Sequence, residues 1–142
     1  MRLFNVYGPR QGIGPYSGVI TTFINDLKKC HPLIIYGDGK QTRDFIHVKD
    51  VARACALAME KRHKKCEIIN IGTGRPTSIN KLASSLMKLS SKTNLKLVNE
   101  APREGDIRNS YADISKAQST LNFKPNIGLT EGLESLVKPK FS

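Results

Sequence analysis

The 142 residues include no tryptophan, five Phe and four Tyr. With 39% apolar residues a core can form, but it must be mostly aliphatic and modest in size. No run of about eighteen apolar residues occurs, so a membrane-spanning helix is excluded and no membrane partner is expected. Met1-Arg2-Leu3-Phe4 is followed at once by Asn5, Tyr7, Gly8 and Pro9, which does not read as a secretion signal. The expected compartment is therefore the cytoplasm.

Cysteine is scarce and odd in number: Cys30, Cys55 and Cys66 make no disulfide framework. His31 adjoins Cys30 and His63 precedes Cys66, but neither pair has a second pair at zinc spacing, so no metal site is expected. Cys55 reads as a core residue and the other two as thiols of a reducing compartment. Acidic residues are also short, 12 against 23 Lys plus Arg, for a net charge of +11. That balance favours an anionic ligand or a polyanionic partner. The densest basic run, Lys61, Arg62, Lys64 and Lys65, reads as a solvated helix end, where cations suit the helix dipole. Nucleic acid is not the expected partner.

The apolar residues that are present fall into helical and strand-like runs. A strand is expected within Arg2–Val6, and a Gly/Pro-rich loop over Gly8–Pro15. Ile20, Phe23, Ile24 and Leu27 share one helical face, closed by Lys28, Lys29 and Pro32. Leu33–Tyr36 is a strand ending in the turn Gly37-Asp38-Gly39. Val48, Val51, Ala52, Cys55, Ala58 and Met59 form a helical stripe expected to be buried. Glu67–Ile71 is a strand ending at Gly72-Thr73-Gly74. Thr77 or Ser78 can cap a helix carrying Ile79, Leu82, Ala83 and Leu86. A short strand at Leu95–Val98 and a charged loop at Glu100–Asn109 follow. Asp113 can cap a helix with Ile114, Ala117 and Leu121, and Thr130 one with Leu133, Leu136 and Val137. Residues 138–142 read as a frayed tail. Strands alternating with helices make the class α/β.

Several motifs invite a catalytic reading and do not sustain it. Tyr36 and Lys40 have Y-x-x-x-K spacing, but two glycines between them indicate a turn, so the side chains need not share a face. After Gly12-Ile13-Gly14 the third glycine, Gly18, comes one place too late for a dinucleotide fingerprint, and Gly72-Thr73-Gly74 lacks both the third glycine and the later acidic residue, so both read as tight turns. Ser78-Ile79-Asn80-Lys81 fits S-x-x-K but falls at a helix start, where capping is the simpler role. The arginines are more informative. Arg43 follows the Gly-rich turn, and Arg103 precedes Asp106 in "PREGD". Two guanidinium groups can clamp a diphosphate, and an Asp nearby can accept from ribose hydroxyls. By residue type alone they read first as surface ion pairs.

The segments "RLFNVYGPRQ", "PYSGVITTFI", "IIYGDGKQTRDFIHVKDVARA", "NIGTGRPTSINKLA", "PREGDIRNSYADISKA" and "LNFKPNIGLTEGL" occur in that order. Together they resemble the C-terminal part of the extended short-chain dehydrogenase/reductase family, NAD-dependent nucleotide-sugar epimerases and dehydratases, and most of all the UDP-glucose 4-epimerase group. The resemblance implies an α/β fold: the C-terminal substrate-binding domain over residues 1–137, with a late strand of a Rossmann sheet whose N-terminal domain is absent. It implies that Asn5 and Arg43 meet the diphosphate of a UDP-sugar. Ile34 and Tyr36 would hold the uracil by backbone and ring, Arg103 a phosphate and Asp106 the ribose. The backbone at Leu3 and Phe4 would meet the nicotinamide. NAD serves the intact family and is not expected to bind this chain alone, nor is the chain expected to epimerise, because the Gly motif and the catalytic Tyr-Lys pair are not in it. A Rossmann-domain partner chain or self-association is expected. The implied alternatives are a 4,6-dehydratase or a UDP-glucuronate epimerase, a non-catalytic nucleotide-sugar-binding module, and a basic nucleic-acid binder.

Overall fold

A computed structural model describes residues 1–12, 14, 17–61 and 66–141, with side chains as far as Lys138. The elements are β1 (Arg2–Leu3), β2 (Asn5–Tyr7), α1 (Val19–Lys28), β3 (Leu33–Tyr36), β4 (Thr42–Arg43), β5 (Phe45–His47), α2 (Val48–Glu60), β6 (Asn70–Ile71), β7 (Thr77–Ser78), α3 (Ile79–Leu89), β8 (Leu97–Glu100), β9 (Asn109–Ser110), α4 (Ser115–Leu121) and α5 (Leu129–Phe141). The fold is α/β, with mostly parallel pairing. The segment from Arg2 to Tyr7 pairs twice: β1 with β6, then β2 with β5. β3 pairs with β8. β4 lies between antiparallel β7 and parallel β9.

The period of two along β2 and β5 divides the interior. Tyr7 and Phe45 join one apolar cluster, built with α1, α3, α5 and β3. Val6 and Ile46 face the other, built with α2, β6 and α4. A parallel pair covered on both faces accounts for the β-branched and aromatic content of these strands. Phe23, Leu27, Leu33, Ile46, Leu82, Leu86 and Leu133 are fully buried, each contributing roughly 1.5–3 kcal/mol of transfer free energy.

Two helix starts follow the capping rules. Ser78 Oγ accepts from Lys81 N at 3.2 Å, and His47 Nδ1 accepts from Lys49 N at 3.2 Å. At α4 the expected cap is displaced: the N-cap position is Ile114, without a side-chain cap, and Asp113 one residue earlier accepts from the N–H and the hydroxyl of Ser115, at 2.9 and 2.6 Å.

Several expectations are corrected. The stripe of α2 is corrected in part: Val51 is buried and Cys55 and Ala58 pack partly buried against the core as expected, with Asp50 and Ala54 buried beside them, whereas Ala52 and Met59 are exposed and Val48 is 38% exposed. The cause is Asp50, whose carboxyl accepts from the N–H groups of Asn126 and Ile127 and from Arg53, turning that edge of the helix inward. The strand expected over Glu67–Ile71 is ordered as strand only at Asn70–Ile71, where β1 is there to pair. Thr130 lies inside α5 rather than capping it, since the helix already starts at Leu129. Residues 138–141, expected as tail, continue α5, and Lys138 pairs with Glu134 one turn back at 3.0 Å. Ile13, Pro15, Arg62, His63, Lys64 and Lys65, within the loop and the basic run considered above, lie outside the described residues.

Candidate functional site: a cleft along the free edge of β3

In β3 the N–H of Leu33 donates to Lys96 O at 3.0 Å, and Gly37 N donates to Glu100 O at 2.9 Å. Odd-numbered peptide groups therefore face β8. Those of Ile34 and Tyr36 face the opposite edge, which has no paired strand among the described residues. A cleft of about 210 Å³ opens there. Asn5, Ile34, Tyr36, Arg43, Arg103 and Asp106 all line it. Those are the six residues expected to meet a nucleotide sugar, brought together from β2, β3, β4 and the loop after β8. Leu3 and Phe4 lie outside it, and Phe4 N is spent on Ile71 O at 3.0 Å.

The turn after β3 builds one end of the site. Gly37 and Gly39 have φ of 74° and 67°, values that L side chains adopt only under strain. Asn80 at the start of α3 fastens this turn, donating from Nδ2 to Asp38 O at 2.9 Å and from its backbone N to Gly39 O at 3.0 Å. Asp38 Oδ1 accepts from Lys40 N at 2.9 Å, and its two oxygens take the fork of Arg108 at 2.6 and 2.9 Å. The hydrogen bonds from Arg108 and Lys40 hold the Asp38 carboxyl at about 2, well below the usual range. Tyr36 and Lys40 thus flank a turn and form no helical dyad.

The two site arginines are held differently. Arg43 forms an ion pair with Asp106, and its Nη1 donates to Ile107 O at 2.6 Å and Thr42 O at 2.8 Å. Arg103 has no carboxylate partner among the described residues; its guanidinium lies over the Tyr36 ring, 3.8 Å from the centroid. Arg43 and Asp106 are both partly covered, with side chains 17% and 34% exposed.

Asp44 carries weight that the sequence reading did not give it. Asp44, beside Arg43, is fully buried. Its carboxyl accepts from Thr73 N at 2.8 Å, Thr73 Oγ1 at 2.5 Å, Gly74 N at 2.9 Å and Ala112 N at 3.1 Å. It therefore ties the Gly72-Thr73-Gly74 turn to the start of β5, and a Cβ on Gly72 would fall 2.6 Å from its oxygen. The N–H groups that a dinucleotide phosphate would need from that turn are already bound. The available signal for Asp44 was its place between an Arg and an apolar run.

Residues 1–72 match the NAD dependent epimerase/dehydratase family. A putative UDP-glucose 4-epimerase of Methanocaldococcus jannaschii is 43% identical over 137 residues, covering 96% of this chain and 43% of the relative. A UDP-N-acetyl-alpha-D-glucosaminuronate decarboxylase of Bacillus cytotoxicus is 37% identical over 145 residues, covering 97% of this chain and 44% of the relative. The crystal structure of Thermotoga maritima UDP-glucose 4-epimerase with UDP-glucose superimposes with a TM-score of 0.90 at 40% identity, covering 96% of this chain and 43% of that one. The chain spans less than half the length of these relatives. Its ordered motifs, its fold and this match agree: the chain belongs to the NAD-dependent epimerase/dehydratase family of extended short-chain dehydrogenases/reductases.

Proposed function

We propose that this chain is the nucleotide-sugar-binding part of a UDP-glucose 4-epimerase-like enzyme. The observation that carries this reading is the convergence of Asn5, Ile34, Tyr36, Arg43, Arg103 and Asp106 on one cleft. The peptide groups of Ile34 and Tyr36 offer donors and acceptors to the edge of a uracil, and the Tyr36 ring offers a face. Arg43 and Arg103, with Asn5, take the diphosphate, and Asp106 takes the ribose. The sugar then lies beyond Asn5. The chain's own contribution is to bind and orient. The net charge of +11 supports an anionic ligand.

Calorimetry tests this reading. The chain is expected to bind UDP-glucose, and Arg43→Ala to lose that binding. Binding of DNA or RNA with a steep salt dependence, and none of UDP-glucose, would replace it with the nucleic-acid reading. No epimerisation is expected from the chain with added NAD, and turnover by the purified chain would overturn that part. Met1, Leu3 and Ile68, 50%, 47% and 65% exposed around the β1–β6 pair, support a partner chain or self-association. A concentration-independent monomer in sedimentation would exclude self-association.

A further inference from the structure

β8 pairs with β3 along one edge, and its other edge has no paired strand among the described residues. Lys96 O accepts from Leu33 N at 3.0 Å, and Glu100 O accepts from Gly37 N at 2.9 Å. Even-numbered peptide groups of β8 therefore face β3, and those of Leu97 and Asn99 face outward. Every residue of the strand is exposed. Leu97 and Asn99 thus each present an N–H and a C=O to solvent, a template for another strand.

The side chains indicate which strand fits. Lys96, Val98 and Glu100 share one face by the two-residue period. Lys96 and Glu100 are exposed, and neither is in an ion pair among the described residues. Val98, 38% exposed, lies beside its register partner Ile34, 39% exposed, so an apolar strip runs to this edge. A lysine on an edge usually discourages pairing, but here an acid stands at the same spacing on the other side of Val98. An antiparallel copy of the strand, centred on Val98, therefore meets its own complement. Lys96 falls opposite Glu100 of the copy, and Val98 opposite Val98. Leu97 falls opposite Asn99, where that pair exchanges both backbone hydrogen bonds. A shift of two residues in either direction sets a charge opposite Val98 and removes both charge pairs. A shift of one puts outward peptide groups opposite inward ones.

We propose that the outer edge of β8 is a homodimer surface, joining two copies of this chain about a twofold axis at Val98 into a sheet ordered β3-β8-β8-β3. Such a contact uses the same patch on both copies and closes on itself, leaving no open β8 edge. The strip of Ile34 and Val98 becomes continuous across it. Each copy keeps its cleft, which lies along the opposite edge of β3. The inference rests neither on the nucleotide-sugar reading nor on the exposed residues around the β1–β6 pair.

Sedimentation velocity over a range of concentrations tests it, on wild type, Lys96→Glu and Glu100→Lys. Wild type is expected to dimerise as concentration rises, and a monomer throughout overturns the proposal. Each variant sets like charges opposite each other on both sides of the axis, so its dimerisation constant should fall about tenfold or more. An equal mixture of the two variants should dimerise as wild type does, because opposite charges then face each other again. Variants that dimerise as tightly as wild type would move the association to another surface and overturn the proposal, as would a mixture no tighter than its components. Should either variant fail to fold, hydrogen exchange of wild type decides. The Leu97 and Asn99 amides should gain protection as concentration rises, and exchange independent of concentration overturns the proposal. UDP-glucose titrated into the same samples tests the nucleotide reading separately.

Discussion

The Arg103 guanidinium stands 3.8 Å from the centroid of the Tyr36 ring, on a face that a nucleobase could use. A cation over an aromatic face at a partly exposed site is worth about 0.5–1 kcal/mol, little enough for a diphosphate to draw the arginine away. Arg103→Ala is therefore expected to split two affinities. UDP should bind about 10–100-fold more weakly, the worth of a hydrogen bond to a charged group. Uridine, with no phosphate, should bind as well as to wild type or better. Calorimetry on both ligands decides it, and a parallel loss of both would mean that Arg103 shapes the cleft instead.

Asp44 is expected to act on stability and, through it, on the site. Asp44→Ala leaves the N–H groups of Thr73, Gly74 and Ala112 without their buried acceptor. The cost should be at least about 3 kcal/mol, read as a lower urea midpoint. A midpoint near that of wild type would show that the Gly72-Thr73-Gly74 turn holds its shape by other means.

Tyr7 gives a prediction of the opposite sign. Its hydroxyl is buried without a partner among the described residues, and burial, with Asp50 and Glu131 nearby, drives its pKa well above the ordinary value. Gly132 makes room for it, since a Cβ there would lie 2.1 Å from Tyr7 Oη. Tyr7→Phe keeps the ring packing and removes the orphaned group. It should be neutral or stabilising by about 1 kcal/mol, visible as an equal or higher melting temperature. Gly132→Ala should lower it by overpacking.

His47 sets a pH dependence. Burial, then the Lys49 charge, lowers its pKa below the ordinary 6.5, against the opposing pull of Asp50 and Glu131. The neutral ring also caps α2 through Nδ1. As pH falls through 6.5 the unfolded chain takes up a proton that the folded chain resists, so stability drops below that pH and is unaffected above it. The slope should not exceed about 1.4 kcal/mol per pH unit. Burial pushes Asp50 up, but the N–H groups of Ile127, Arg53 and Asn126 prevail and hold it low, so it does not titrate in this window. Urea midpoints at several pH values should show the drop in wild type and a flatter profile in His47→Asn, which keeps a capping residue.

The helices were legible where one apolar face carried them. Ile20, Phe23, Ile24 and Leu27 are all buried in α1, and Ile79, Leu82, Ala83 and Leu86 in α3, because a 3.6-residue period is a local property of the chain. The α2 stripe was legible only in part because periodicity does not register a buried carboxyl. Asp50 turns inward for N–H groups 76 and 77 residues away in sequence.

The site divides along the same line. Residue type alone left Arg43, Arg103 and Asp106 between surface ion pairs and a diphosphate-and-ribose site, and the ordered motifs set the family. Which groups meet was decided only by the tertiary structure. The Arg43–Asp106 pair, the stacking of Arg103 on Tyr36 and the anchoring of the glycine turn by Asp44 depend on where strands β3, β4 and β8 place their edges. Local chemistry sets what each side chain can do. Long-range hydrogen bonding and burial set which partner it finds, and no pattern confined to neighbours in the chain contains that.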